Sequence, residues 1–259
     1  MNLSVRERIV DWIAGLGQIT MLAREAFASL FTFKIAWQDF LYQLYFIGVK
    51  SQAVVLITGA FPGMVLGAQT YFQFHKVKMD TTTLAVVGVS MCDELGPVLT
   101  ALMVAGRVGA AIAAELGTMR VTEQIEALRT LATHPVDYLV VPRILAGFSA
   151  LPLLTMEAIC LGIAASYFIC VNLLGIDAAY LRYHLLHYTH DIDVVIALIK
   201  AFIYGGILTL VGCHKGLTCG LGAQGVGRAT TEAVVYASTA ILITNFFLTL
   251  VLDKIASFV

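Results

Sequence analysis

The chain has 259 residues, of which 59% are apolar and 13% charged, and its mean hydropathy is +0.86. Soluble domains carry about 25% charged residues, so this composition argues against a water-soluble enzyme and excludes an intrinsically disordered chain. The net charge of −1 provides no global field that would attract nucleic acid. The composition therefore predicts an all-α, polytopic membrane protein.

Residues 1–41 predict an amphipathic helix that lies in the membrane interface. Apolar side chains recur there at helical spacing, and the charged side chains fall largely on the remaining surface. The apolar positions are Ile9, Trp12, Ile13, Leu16, Ile19, Ala23, Ala26, Phe27 and Leu30. The alternative is a soluble helix packed on another domain, but the rest of the chain offers no soluble domain.

Residues 42–259 predict a domain with five membrane-spanning helices, since a span needs about 20 mostly apolar residues. The apolar runs are 44–74, 81–116, 138–171, 194–212 and 231–252. The connections on the N-terminal side, with the adjoining parts of spans two and three, hold ten Lys and Arg residues, against four on the other side. The positive-inside rule therefore predicts a cytoplasmic N-terminus and a periplasmic C-terminus.

Small residues in the first two spans predict close helix packing and an oligomer, because they let helix backbones approach in a bilayer. They are Gly59, Gly63 and Gly67 in span one and Gly106 and Gly109 in span two. Prolines within spans, namely Pro62, Pro97 and Pro152, predict kinks or breaks.

Charged residues inside the spans are expensive, at about 2.5–3.5 kcal/mol each, and therefore indicate a pathway or a buried pair. The clearest are Asp93, Glu94, Glu157 and Lys200. Glu94 precedes Gly96 and Pro97, where a broken helix would need a lined cavity, which favours a cavity role for this carboxylate. The alternative is a structural pair between helices, such as Glu157 with Lys200.

The segment 117–128 is too polar to span and has helical propensity, and Gly117 is expected to break the chain at the end of span two. Such a helix at the membrane surface could push on a partner protein. The alternative is a solvated connector.

The sequence contains no phosphate-binding loop of the GxxxxGK[ST] type and no GxSxG or HExxH motif, so we expect no nucleotide hydrolysis by the P-loop route in this chain. The best metal candidate is formed by His184, His187 and His190 with Asp191 and Asp193. The same stretch is also typical of an amphipathic surface helix, and we expect no metal.

Several of these stretches together resemble the signature of the MlaE permease family, the membrane subunits of ABC-type lipid transporters that work with MCE proteins. The resemblance is carried by residues 94–102, 105–107 and 113–124, and further by 63–67, 142–143, 151–155 and 225–231. It runs in order from about residue 40 to the C-terminus.

The resemblance implies a bacterial inner-membrane homodimer that moves phospholipid between the inner and outer membranes and maintains outer-membrane lipid asymmetry. Its implied partners are a cytoplasmic ATPase that binds ATP and Mg²⁺, a periplasmic MCE-domain protein and a small STAS-domain protein. The chain itself would hold no cofactor and bind no nucleic acid.

Two sets of site residues follow from the resemblance. The ATPase would dock on a coupling helix over 117–128, with Glu115, Gly117, Met119, Arg120, Glu123, Gln124, Ala127 and Leu128. The lipid pocket would lie at the outer ends of spans one and two, with Leu66, Gln69, Phe72, Phe74, Asp93, Glu94 and Leu95. Asp93 departs from the family, where a basic residue is expected, and this predicts a pocket with two carboxylates and no adjacent cation.

Two other functions remain open at this point. Asp93, Glu94 and Glu157 could carry protons in a secondary transporter, or the 184–193 histidines and aspartates could form an intramembrane metalloenzyme.

Overall fold

The computed structural model describes residues 5–32 and 37–256, and within these ranges every regular element is helical. The helices are α1 (Val5–Thr32), α2 (Trp37–Ile47), α3 (Gln52–Phe74), α4 (Thr83–Ser90), α5 (Gly96–Val104), α6 (Ala110–Val121), α7 (Gln124–Thr130), α8 (Val141–Asn172), α9 (Ala178–Tyr188), α10 (Asp191–Leu217) and α11 (Gly222–Ala256). The all-α prediction is confirmed.

Five helical stretches of the described chain are long and apolar enough to cross a membrane, which confirms the predicted number of spans. They are Trp37–Val77, Asp80–Val121, Val136–Asn172, Asp191–Leu217 and Gly222–Leu252. Each is longer than its apolar run in the sequence. In the first three spans short 3₁₀ or π turns adjoin the α-helices, whereas α10 and α11 are continuous α-helices that extend past their apolar runs.

The second span is helical throughout but is built from three α-helices. A π turn at Met91–Leu95 joins α4 to α5, and another at Ala105–Gly109 joins α5 to α6. Pro97 lies in the first turn of α5, where a missing N–H costs least. The expected break at Gly96 and Pro97 is therefore a π turn rather than unwound backbone. Pro62 and Pro152 lie inside α3 and α8, which continue past them.

The glycines of span one pack α3 directly against α8. A Cβ at Gly59 would lie 2.7 Å from the Cα of Ala158, and one at Gly63 would lie 2.6 Å from the Cα of Gly162. Gly67 faces Ser166 in the same way. Because any side chain would collide with backbone at the first two positions, only glycine allows this approach.

The two glycines of span two behave differently. A Cβ at Gly106 or Gly109 would meet nothing within 4 Å in the described chain. A packing role for Gly106 therefore remains a prediction that requires a second subunit. The backbone of Gly109 is instead approached by Gly212 of α10.

The core lies along α8 and α10, and the outer helices expose apolar surface. Lys200, Tyr204 and Leu208 of α10 are fully buried, whereas α11 exposes residues such as Phe246 and Phe247. Exposed apolar faces of this kind are expected of helices in contact with lipid or a partner.

The N-terminal helix α1 packs on this core through its second half. Ala26 is buried, Leu22 packs against the core, and the ring of Phe27 lies 6.3 Å from that of Phe148. The side chains of Ile9, Trp12, Ile13, Leu16 and Leu30, which form much of the predicted apolar face, lie outside the described residues.

Candidate functional site

A polar network connects three spans within the apolar bundle, and its centre is Lys200. This side chain is fully buried. Its Nζ donates hydrogen bonds to the Glu94 Oε1 at 2.9 Å, to the Asp93 carbonyl oxygen at 2.6 Å and to the Thr249 Oγ1 at 2.9 Å. The three donors of the ammonium group are therefore all used.

Glu94 forms the other half of the network and receives further donors from α11. The Thr249 Oγ1 donates to its Oε1 at 2.6 Å, and the Asn245 Nδ2 donates to its Oε2 at 2.6 Å. The Tyr204 hydroxyl donates to the Asn245 Oδ1 at 2.6 Å and so fixes the orientation of that amide. Both carboxylate oxygens are thus held by side chains from spans four and five.

The pairing of Lys200 corrects two predictions made from the sequence. Lys200 binds Glu94 across 2.9 Å, so the expected pair of Glu157 with Lys200 is wrong. The expectation of a pocket with no adjacent cation is also wrong. Although Asp93 stands where a basic residue was expected, α10 supplies an ammonium group to the same place.

The network is fully buried at Lys200 but reaches the surface of the bundle at Glu94. The Lys200 side chain is 0% exposed, whereas the Glu94 side chain is 39% exposed. A neutralised carboxylate with hydroxyl and amide neighbours therefore meets the surface of the bundle within its membrane-spanning part. Such a group can accept hydrogen bonds from a ligand without a net charge being buried.

The predicted lipid residues on α3 are not among the described hydrogen-bond partners of Glu94. Gly63 and the end of the Met91 side chain both approach Gly162 of α8. Phe72 is nine residues beyond Gly63 on the helix, so it lies about 14 Å further along. Leu66, Gln69 and Phe74 share this helix and its outer end, and Leu95 follows Glu94 in the π turn. The described partners of Glu94 come from α10 and α11 rather than from α3.

The sequence reasoning missed Tyr204, Asn245 and Thr249. A signal was available, because Lys200 and Tyr204 are four residues apart, as are Asn245 and Thr249. Residues at this spacing share one face of a helix, so a stripe of polar side chains on each of two apolar spans indicated a common partner.

The predicted coupling segment has different boundaries in the structure. Helix α6 continues through Gly117 to Val121, so the expected break at Gly117 is wrong. The chain turns at Glu123, which has a positive φ of 60°, and the separate short helix α7 covers Gln124–Thr130. The single coupling helix predicted over 117–128 is therefore divided between two helices.

The residues at the end of α6 make contacts within the chain. The Glu115 Oε2 lies 3.0 Å from the Nη2 of the buried Arg143, and Arg120 donates to the Leu217 carbonyl oxygen. The Gly117 carbonyl oxygen lies 3.5 Å from the Cys219 Sγ. These contacts attach the end of span two to α8 and to the α10–α11 connection.

Helix α7 is anchored on one side and exposed on the other. Ile125 is buried and Leu128 packs against the core, whereas Gln124, Glu126 and Ala127 are exposed. Met119, at the end of α6, also packs against the core. The exposed face of α7 is therefore available to a partner on a helix held firmly by the bundle.

A cavity of about 650 Å³ separates α7 from α1. Its lining includes Glu25 on α1 together with Arg120 and Arg129. Glu25 also lies 3.5 Å from His134, so the N-terminal helix and the segment after α7 are in direct contact.

The three histidines of the metal hypothesis have other roles. His184 and His187 lie on α9, where their rings stack on Tyr188 and Tyr183. His190 caps α10, and its backbone N–H donates to the Asp193 carboxylate at 2.8 Å. Among the described residues no group of three His, Cys, Asp or Glu side chains could hold a metal ion.

Five apolar helices with a neutralised ion pair in their interior define a multi-pass membrane protein. Residues 40–251 match the family described as Permease MlaE. The chain belongs to the MlaE permease family and is a permease subunit.

The chain is also similar to curated proteins, two of which are named as probable ABC transporter permeases. It is 40% identical to a probable ABC transporter permease protein of Rickettsia felis, over 97% of both chains. It is 41% identical to one of Synechocystis, over 94% of this chain and 92% of the relative. It is also 36% identical to Protein TRIGALACTOSYLDIACYLGLYCEROL 1, chloroplastic, of Arabidopsis thaliana, over 89% of this chain and 66% of the relative. Permeases of the ABC class work with a separate ATPase subunit.

Proposed function

We propose that the chain is the permease of an ATP-driven transporter that moves glycerophospholipid between the inner and outer membranes. It works as a homodimer in the bacterial inner membrane, with its N-terminus in the cytoplasm and its C-terminus in the periplasm. A partner ATPase binds ATP and Mg²⁺, an MCE-domain protein receives or delivers lipid on the periplasmic side, and a STAS-domain protein accompanies the ATPase. The chain itself carries no cofactor.

The observation that carries this proposal is the network of Glu94 and Lys200. A lipid headgroup in an apolar cavity requires polar partners, and a buried charge is tolerated only when it is paired. The partly exposed Glu94, with Asn245 and Thr249 beside it, offers hydrogen-bonding groups to a headgroup, while exposed apolar residues of α11 such as Phe246 offer surface to acyl chains.

The relatives support the choice of substrate class. The name of the Arabidopsis relative refers to trigalactosyldiacylglycerol, which is a glycerolipid with two acyl chains. We propose that the present chain also transports a glycerolipid with two acyl chains. Within that class we choose phospholipid, because the family resemblance implies a phospholipid substrate.

The proposed mechanism is alternating access without bond chemistry in this chain. ATP-driven closure of the ATPase pushes on α7, and the contacts of Glu115 with Arg143 and of Arg120 with Leu217 pass the movement to α8 and α10. Because Lys200 belongs to α10, a shift of that helix changes the geometry around Glu94.

Two matched threonines of α11 test the site. The Thr249 hydroxyl donates to Glu94, whereas the Thr239 hydroxyl donates to the Val235 carbonyl oxygen of its own helix. A phospholipid with a photoactivatable headgroup, added to the transporter in nanodiscs, should label residues around Glu94 in the wild type. We expect Thr249→Val to reduce that labelling about fivefold, as loss of a charge-assisted hydrogen bond predicts, and Thr239→Val to leave it unchanged. Equal labelling in both variants, or labelling elsewhere only, would overturn the assignment of the site.

A further inference from the structure

A second feature of the membrane-embedded surface lies apart from the Glu94 network. It is a groove of about 430 Å³ between α4, α8 and α9. Its lining includes Leu84, Cys160, Ile163, Ala164, Tyr167 and Arg182. The volume is within the range of about 300–1,000 Å³ that is usual for small-molecule sites.

The long side of this groove is a stripe on one face of α8. Cys160, Ile163, Ala164 and Tyr167 follow the spacing i, i+3, i+4 and i+7, so the stripe is about 10 Å long and parallel to the helix axis. Neither α4 nor residues 158–172 of α8 contain a charged residue. The walls that belong to spans two and three are therefore suited to hydrocarbon.

The remaining wall carries a cation, because Arg182 lies on α9, outside the five spans. Its side chain is exposed, and it makes no ion pair or hydrogen bond with the described residues. Of the residues that line the groove it alone is charged. The groove is apolar along the spans and has a guanidinium group at its α9 wall. A phospholipid has the matching arrangement, with hydrocarbon chains at one end and a negatively charged phosphate at the other. Its hydrocarbon part fits the α8 stripe, and its phosphate fits Arg182.

We propose that this groove binds one glycerophospholipid, with an acyl chain along Cys160, Ala164 and Tyr167 and the phosphate on Arg182. The bound lipid is a resident one that fills the gap between α9 and spans two and three. The proposal is independent of transport, since the groove shares no lining residue with the Glu94 network.

A photolabelling experiment on the purified full-length chain tests this site. The probe is phosphatidylglycerol with a diazirine in the middle of one acyl chain, in nanodiscs without any partner protein, and the readout is labelling of residues 160–167. We expect Arg182→Gln to lower labelling about tenfold, as loss of a charged contact predicts. Lys76→Gln, which removes an exposed cation from the end of span one, is the matched control and should leave the labelling unchanged.

Two further comparisons test the contributions of the acyl chain and of the phosphate separately. Ala164→Phe fills the groove and should abolish labelling, with Cys160→Leu as a second, milder variant if the first fails to fold. Diazirine-labelled diacylglycerol, which has no phosphate, should label about tenfold less than phosphatidylglycerol. Equal labelling in wild type, Arg182→Gln and Ala164→Phe would indicate ordinary bilayer contact and overturn the proposal. Absence of labelling in the wild type would also overturn it, and would indicate a groove closed by a protein segment.

Discussion

The role of Lys200 depends on which acidic residue it pairs with. Its presence in an apolar span marked it as significant, because a charge there is costly. Its partner could not be read from the sequence, since Glu94 lies 106 residues away and the pairing depends on the rotation and depth of three helices. Glu157 was an equally good candidate by composition. The polar positions at four-residue spacing, Tyr204 with Lys200 and Asn245 with Thr249, held the missing information.

We expect Lys200→Met to destabilise the protein, because it leaves Glu94 without a cation in the bundle. The loss in unfolding free energy should be about 3 kcal/mol, the lower end for a broken buried pair, since Glu94 retains partial exposure. Thermal unfolding in detergent measures the effect, and the exposed Lys76→Met is the control.

The double variant Glu94→Gln with Lys200→Met separates pairing from packing. If the two charges stabilise each other, the double variant loses less stability than the two single variants added together. Additive losses would show that the pair contributes nothing beyond its separate side chains.

At the scale of elements, hydropathy located the spans but not their ends or their internal turns. The apolar runs ended at polar residues through which the helices continue. The π turns at Met91–Leu95 and Ala105–Gly109 follow from side-chain packing that a single sequence does not show. The coupling helix was misplaced for a related reason. Gly117 suggested a break, yet it lies inside α6, where it faces Cys219 and Val226.

Gly63→Ala tests the contact between α3 and α8. A Cβ there would lie 2.6 Å from the Gly162 Cα, so we expect a loss of about 1–3 kcal/mol through overpacking. At Gly227, in α11, a Cβ would meet nothing within 4 Å. Gly227→Ala should therefore be neutral or stabilising by up to about 1 kcal/mol. The measurement is the thermal unfolding midpoint of each variant under the same conditions, and we expect a lower midpoint for Gly63→Ala than for Gly227→Ala. Equal midpoints would contradict the assigned packing.

Ala127→Arg tests whether α7 is the docking element for the ATPase. Ala127 is on the exposed face of a helix anchored by Ile125, so a large cation there should block a partner without disturbing the bundle. We expect the ATPase subunit no longer to co-purify with this variant. Ala223→Arg, at an exposed position in the first turn of α11, should retain the ATPase. Retention by both variants would place the docking surface elsewhere.

For the whole molecule, the number of spans, the helical class and the family could all be predicted. Membrane helices must satisfy their own backbone hydrogen bonds, so composition and length nearly determine the architecture. The site could be predicted only in part. Phe72 and Glu94 were assigned to one pocket, which stays a prediction, whereas the hydrogen-bond partners of Glu94 on α10 and α11 could not be read from the sequence.

The most direct test of the account is phospholipid movement in proteoliposomes that contain the chain with its ATPase subunit and its MCE-domain partner. We predict that labelled phospholipid leaves the membrane only when ATP is hydrolysed, and that Lys200→Met reduces this movement while ATPase binding persists. The chain alone should move no lipid, with or without a pH gradient. Lipid movement by the isolated chain under a pH gradient would contradict the account and favour a proton-coupled transporter.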